Sequence, residues 1–335
     1  MKPQPSKPAP DLSNATHNTL YVGVSVTERR VDKYLQRRLG DFSRVMIQEI
    51  IKAGAVRVND KVVKRSFKLN PGDRIDFTLP PPPSKEIVPE DIPLNIIYED
   101  DDIIILNKQP GIIIHPARSN MRGTLVNALA HYSNKLSSGL GEFRPGIVHR
   151  LDKNTTGVMV VTKNDVAQWK IATQFEHRQT KKTYLTIVHG VPDLTADRIN
   201  APMNVHPRIR EKYAIRSQSG KEAITFYEVL EEFRGFSLLK VMPRTGRTHQ
   251  IRVHLSYMKH PVVADELYGG KLVYLWQLQN GEPVVQNPII DRVALHAWKL
   301  EFKHPTTEKM VEFEAPLPQD MQTLLDLLRE YRKKC

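Results

Sequence analysis

The chain has 335 residues, 40 % of them apolar, with 49 Lys+Arg against 37 Asp+Glu and a formal net charge of +12. That length suits two domains, and the excess of cations suits a polyanionic partner. A single cysteine, Cys335, excludes intramolecular disulfides and any zinc site that needs two thiolates.

Residues 1–19 are Pro, Ser, Asn and Thr with almost no large apolar side chains, which predicts a disordered tail. The start lacks the apolar core of a secretory signal, and no apolar run approaches the ~18 residues of a membrane span. A cytoplasmic protein is expected. Over 20–79, Val31, Leu35 and Leu39 recur at four-residue spacing, as on one face of a short helix. Ser43 is placed to cap a second helix with Ile47, Ile50 and Ile51 inward, and Gly54 to stop it. Short alternating strands follow around turns at Asn59-Asp60 and Pro71-Gly72-Asp73. This stretch holds 13 basic residues against 7 acidic ones, a net +6 and half of the total charge. Such clusters bind phosphates and release counterions.

Four consecutive prolines, 80–83, open a spacer over 80–91. From residue 92 to the end strands predominate, at 96–98, 103–106, 157–162, 184–189, 224–229, 237–243 and 297–302. Helices are expected at 124–131, 166–174, 248–257 and 321–332. Without strict strand–helix alternation, an α+β fold with a mixed, mostly antiparallel sheet is predicted over a doubly wound one.

The chain contains no GxGxxG, GxxxxGK[ST], HExxH or GxSxG pattern, which leaves a cofactor-free, metal-free reaction as the simplest chemistry. Two segments stand out. Residues 144–157 set His149, Arg150 and Asp152 in a polar loop ahead of an apolar strand. Residues 243–254 place three arginines and two histidines at a turn into a helix. Taken singly, the first reads equally as a turn-former and the second as a basic surface loop.

Together they carry a resemblance. His149-Arg150-Leu151-Asp152 with Thr155-Thr156-Gly157, and Gly246-Arg247-Thr248-His249-Gln250-Ile251-Arg252-Val253-His254, resemble the signatures of the RluA/RluC/RluD-type RNA pseudouridine synthases. Asn107-Lys108-Gln109-Pro110-Gly111, Lys182-Thr183-Tyr184 and Ala294-Leu295-His296-Ala297 follow the same family order. Thr156 stands where many members carry Ser, and Gln109 where another residue is more usual. Residues 28–77 are similar to the S-four-type (alpha-L) RNA-binding module. The resemblance divides the chain into a tail (1–19), an RNA-binding domain (20–79), the spacer (80–91) and a catalytic domain (92–335).

The resemblance implies isomerisation of uridine within RNA to pseudouridine, most simply in large-subunit ribosomal RNA, by a monomer with no cofactor and no membrane. Asp152 matches the catalytic aspartate, acting at C1′ directly or at C2′ through a glycal. Arg252 matches the arginine that pairs with it and keeps it ionised. Tyr184 matches the active-site tyrosine, whose ring stacks on the uracil and whose phenol assists removal of the C5 proton. His149 and Arg150 are expected to fill the space left by a flipped base, and Arg247 and His249 to hold the RNA backbone. In the N-terminal module Arg29, Arg30, Lys33, Arg44, Lys64 and Arg65 are the expected RNA contacts. The alternatives are a transfer-RNA uridine as substrate, a catalytically silent ribosome-assembly protein, or an RNA glycosidase or nuclease.

Overall fold

The computed structural model describes residues 14–40, 42, 44–81, 87–115, 121–133, 136–137 and 145–334. The chain divides into two compact units, Met1–Glu86 and Ile87–Cys335. Among the described residues no helix is long and apolar enough to cross a membrane.

In the first unit, β1 (Thr16–Tyr21), β2 (Val56–Val58), β3 (Lys61–Val62) and β4 (Arg74–Leu79) form an antiparallel sheet in the order β1-β4-β2-β3. Helices α1 (Val31–Arg38) and α2 (Arg44–Lys52) complete it. The four-residue spacing does what it predicts: Val31 and Leu35 are buried with Ile47, Ile50 and Ile51 against Val56, Val58, Ile75 and Phe77. Ser43, the expected cap of α2, lies outside the described residues. Order begins earlier than the expected residue 20. Residues 16–21 pair with 74–79 through their backbones, which needs no apolar side chains on an edge strand.

Asp32 is fully buried in this unit, held by Arg30, Arg44 and Gln48 at 2.7–3.1 Å. Burial alone would raise its pKa, but those hydrogen bonds outweigh it and hold the carboxyl at about 2, below its ordinary 3.8. With the folded pKa depressed, this stabilisation is complete above pH 4 and is lost as pH falls through about 2. Asp32→Ala should cost on the order of 2 kcal/mol at neutral pH. Hydrogen exchange of α1, β2 and β4 amides would quicken in the variant at pH 7, and its difference from wild type would vanish near pH 2.

In the second unit the spacer ends sooner than expected. Ile87 packs on the core, and Glu90 accepts from the Gly123 N–H, so 87–91 belong to the folded body. The strands are β5 (Ile96–Glu99), β6 (Ile103–Lys108), β7 (Thr156–Thr162), β8 (Lys181–His189), β9 (Ala196–Asn200), β10 (Met203–Val205), β11 (Tyr213–Ile215), β12 (Ile224–Phe233), β13 (Phe236–Pro243), β14 (Leu295–Lys303) and β15 (Met310–Glu314). Nine form one sheet, ordered β5-β6-β7-β14-β8-β13-β12-β9 with β15 beside β14, while β10 and β11 make a separate hairpin. Only β7 and β14 run parallel. Helices α3 (Leu125–Tyr132), α4 (Asp165–Glu176), α5 (Gln250–Tyr257), α6 (Leu275–Leu278) and α7 (Gln319–Tyr331) lie among them. The fold is α+β with a mixed, mostly antiparallel sheet.

Two large hydrophobic clusters fill this unit beside a small one around Met203, Ala223, Val253 and Tyr268. One gathers β6, β7, α3 and Phe302, and the other gathers β8, β13, α5 and α7. Tyr184 packs against both, so the centre of the sheet is where the two halves of the core meet. The parallel contact is close: a Cβ on Gly157 (φ 117°) would lie 2.1 Å from the Ala297 carbonyl, so only glycine lets β7 approach β14 there.

Candidate active site

The loop ahead of β7 carries Asp152, and the interior holds it from beneath. Lys108, at the end of β6, is fully buried, and its ammonium donates to the carbonyls of Gln109, Lys153 and Thr155 at 3.0 Å each. Three carbonyl dipoles thus replace the ammonium's hydration, and two of them fix the loop just after residue 152. Burial presses the Lys108 pKa down to about 8, and the negative charge of Asp152 works in the opposite direction. Arg292 adds a hydrogen bond to the Asn154 carbonyl at 3.4 Å.

Asp152 and Arg252, a hundred residues apart in sequence, meet. The Arg252 Nη1 donates to Asp152 Oδ2 at 3.2 Å. Arg252 is itself gripped bidentately by buried Asp265, from Nε at 2.6 Å and Nη2 at 2.8 Å. Its guanidinium also lies 5.0 Å from the centre of the Tyr268 ring. Burial opposes the charge of Arg252, but Asp265 and then Asp152 raise its pKa above the ordinary value. Arg252 is therefore a fixed cation aimed at Asp152. Asp265 escaped the sequence reading. It is presented by a tight turn in which Ala264 has φ 59° and Gly270 has no room for a Cβ.

A cleft of about 420 Å³ opens over this pair. Asp152, Tyr184 and Arg252 line it together, as expected, with Arg150, Arg247 and His249. Burial pushes the Tyr184 phenol far above its usual range, and the charge of Asp152 adds to the shift, so the hydroxyl is neutral at rest. His149 is part of the wall rather than a projecting wedge. Its ring stacks on Phe175 at 4.6 Å, and its Nε2 accepts from the Val160 N–H at 3.1 Å. Burial, then Lys182, lowers its pKa to about 3, which keeps the imidazole neutral. Of the expected His149–Arg150 pair, only Arg150 is exposed. Arg247, also exposed, donates from Nε to the Glu222 carbonyl at 3.1 Å. His249 has a left-handed backbone (φ 58°), which is why α5 begins at Gln250, two residues later than expected.

Other cations on the cleft were not anticipated: Arg178, Lys182 and Arg244. Burial, reinforced by Arg178, lowers the Lys182 pKa to about 8. Arg208, Arg210, Lys212, Arg216 and Lys221 lie on and beside the β10–β11 hairpin, and all but Lys212 are well exposed. A set of metal-ligand type among the described residues, Asp100, Asp102 and His304, has its protons accounted for. His304 Nδ1 accepts from the Thr306 and Thr307 N–H groups, leaving Nε2 to donate to Asp100.

In the first unit most of the expected RNA contacts are already engaged. Arg30 and Arg44 neutralise buried Asp32, Lys33 pairs with Glu28 at 3.3 Å, and Arg29 bonds to the Leu69 carbonyl and Asn70. A buried carboxylate needs cations before any ligand does. Lys64 and Arg65 are exposed.

Residues 102–257 match the family model described as RNA pseudouridylate synthase, and residues 29–75 match that of the S4 domain. An uncharacterized RNA pseudouridine synthase of Chlorobaculum parvum is 41 % identical over 318 residues, covering 93 % of this chain and 97 % of that one. Ribosomal large subunit pseudouridine synthase D of Xylella fastidiosa is 40 % identical, covering 90 % of this chain and 89 % of that one. The structure of human RNA pseudouridylate synthase domain containing 4 superposes with a TM-score of 0.53 at 25 % identity, over 70 % of this chain and 93 % of that one. The chain therefore belongs to the RNA pseudouridine synthases, enzymes acting on RNA, and carries an S4 RNA-binding domain ahead of the catalytic fold.

Proposed function

We propose that this enzyme converts uridines of large-subunit ribosomal RNA to pseudouridine, with Asp152 as the reacting carboxylate. The observation that carries the chemistry is the Arg252–Asp152 pair, 3.2 Å apart on the cleft and backed by buried Asp265. The ribosomal substrate is supported by the name of the Xylella fastidiosa relative, whose similarity covers 90 % of this chain. A uridine inside folded RNA must leave its stack to enter such a cleft. Arg150 then occupies the vacated space, and Arg247 holds a phosphate beside it. Asp152 attacks C1′, or takes the proton from C2′, as the N-glycosidic bond breaks. The uracil turns within the cleft, and C5 bonds to C1′ as Asp152 leaves that carbon or, on the second route, returns its proton to C2′. Either path needs a negatively charged Asp152, and Arg252 is the cation that faces it.

Tyr184 stacks on the uracil and completes the reaction at C5. A neutral phenol can take the C5 proton only by passing its own on in the same step. Asp152, free again as the C–C bond forms, is the acceptor whose charge Tyr184 already feels, and it passes the proton on to N1 of the uracil, which regenerates the carboxylate. Tyr184→Phe keeps the ring and removes the relay. It should lower kcat by about 100-fold with RNA affinity unchanged, and C5-deuterated uridine should then react more slowly than protiated uridine. A variant with wild-type kcat, or with no isotope effect, would remove this role.

The N-terminal module binds the backbone through the exposed cations. Lys64→Ala with Arg65→Ala should flatten the slope of log affinity against log salt by roughly 1.5, and an unchanged slope would place the contacts elsewhere. The substrate class is tested by mapping pseudouridine in ribosomal and transfer RNA from cells with and without the gene. Sites should disappear from large-subunit RNA; loss confined to transfer RNA would overturn the ribosomal assignment.

A further inference from the structure

Tyr268 ends the short turn Glu266–Tyr268 and is 5 % exposed. Its hydroxyl meets two groups, each at 2.9 Å: the backbone N–H of Tyr213 and Nδ1 of His249. An amide N–H can only donate, so the phenolic oxygen accepts from Tyr213. Two proton placements remain for the second contact. A proton on His249 Nδ1 would leave the buried Tyr268 O–H with no acceptor among the described residues. It would also turn the bare Nε2 lone pair toward the Asp152 carboxylate, 3.8 Å away. With the Tyr268 O–H donating to Nδ1, every proton has a partner and Nε2–H faces Asp152 Oδ2.

The backbone agrees with this placement. His249 holds a left-handed φ of 58° at the N-cap of α5, yet its side chain makes no capping hydrogen bond. The strain brings the ring to Tyr268 and Asp152 instead, a conformation that persists only where surroundings enforce it. Burial lowers the His249 pKa, which favours a neutral ring with a single defined tautomer.

We infer that Tyr268 is a positioning residue that fixes His249 as the Nε2–H tautomer, so that His249 gives Asp152 a second donor beside Arg252. This rests on Asp152 being the reacting carboxylate. Both donors address Oδ2, from 3.2 Å and 3.8 Å, which leaves Oδ1 as the oxygen that meets the ribose. The longer contact is an electrostatic one here, and it tightens to a hydrogen bond when substrate fills the cleft. His249 thus acts on the carboxylate and not on the RNA backbone.

The test combines nitrogen-15 NMR of the histidine rings in the full-length protein with kinetics on an RNA substrate. In wild type at pH 7.5, His249 should show a protonated Nε2 and an unprotonated Nδ1. Tyr268→Phe keeps the ring over Arg252 and removes only the hydroxyl. It should mix the two tautomers and lower kcat about 10- to 100-fold, with KM and RNA affinity within twofold. His249→Gln, which retains an N–H at similar reach, should keep more activity than His249→Ala. A wild-type ring carrying its proton on Nδ1, or on both nitrogens, overturns the inference even if Tyr268→Phe fails to fold. Wild-type kcat in a folded Tyr268→Phe, or equal losses in the two His249 variants, overturns it as well. An active Asp152→Asn would sink the reading of Asp152 while leaving the tautomer assignment standing, so the two failures are distinguishable.

Discussion

Asp152→Asn should abolish pseudouridine formation, by about 10⁴-fold or more, while RNA binding stays within about threefold. The substitution keeps the size of the side chain and its ability to accept from Arg252. What it removes is the negative charge, which both candidate routes through the sugar require. Arg252 then loses one of its two carboxylate partners, while Asp265 still neutralises it from behind. The fold should accordingly survive, because the loop around residue 152 is fastened through the backbone carbonyls that Lys108 and Arg292 hold. Single-turnover assays with excess enzyme, run beside filter-binding measurements, separate loss of chemistry from loss of affinity. Residual turnover within tenfold of wild type would mean that the carboxylate is not the reacting group.

Asp265→Ala should have the second-largest effect, and it should appear in stability and catalysis together. Asp265 is 1 % exposed and supplies both oxygens of a bidentate pair, so its removal strands a buried guanidinium. The expected cost is about 3–5 kcal/mol, or roughly 10 °C in Tm for a domain of this size. At temperatures where the variant remains folded, Arg252 loses the anchor that aims Nη1 at Asp152, and kcat should fall about 100-fold. Asp265→Asn keeps one acceptor and should lie between the two. Calorimetry and single-turnover rates at low temperature check this. A Tm within 2 °C of wild type together with full activity would show that Arg252 does not depend on this partner.

The sequence made the cleft's chemistry legible and much of its support illegible, for physical reasons. Asp152, Tyr184 and Arg252 sit in ordered motifs, and the fold brings all three to one cleft. Asp265 sits on an irregular turn, where neither a helical nor a strand period marks a buried side chain. Lys108 looked like one motif residue among five; that it spends its charge on loop carbonyls follows only from the register of β6 against β7. Three-residue strands such as β10 and β11 are too short for alternation to register, so the cationic hairpin went unread. The edge strand β1 is polar because its order comes from backbone pairing, and composition therefore read it as tail. In the first unit, charge counting treated Arg30 and Arg44 as free phosphate ligands, whereas Asp32 claims both.

The most direct test is a structure of Asp152→Asn bound to RNA bearing its target uridine. The extruded uracil should lie with its face on Tyr184, and C1′ should stand within about 3.5 Å of the residue-152 side chain, on the oxygen or nitrogen not held by Arg252. A uridine still stacked in the RNA, or a ribose well beyond contact with residue 152, would contradict the account.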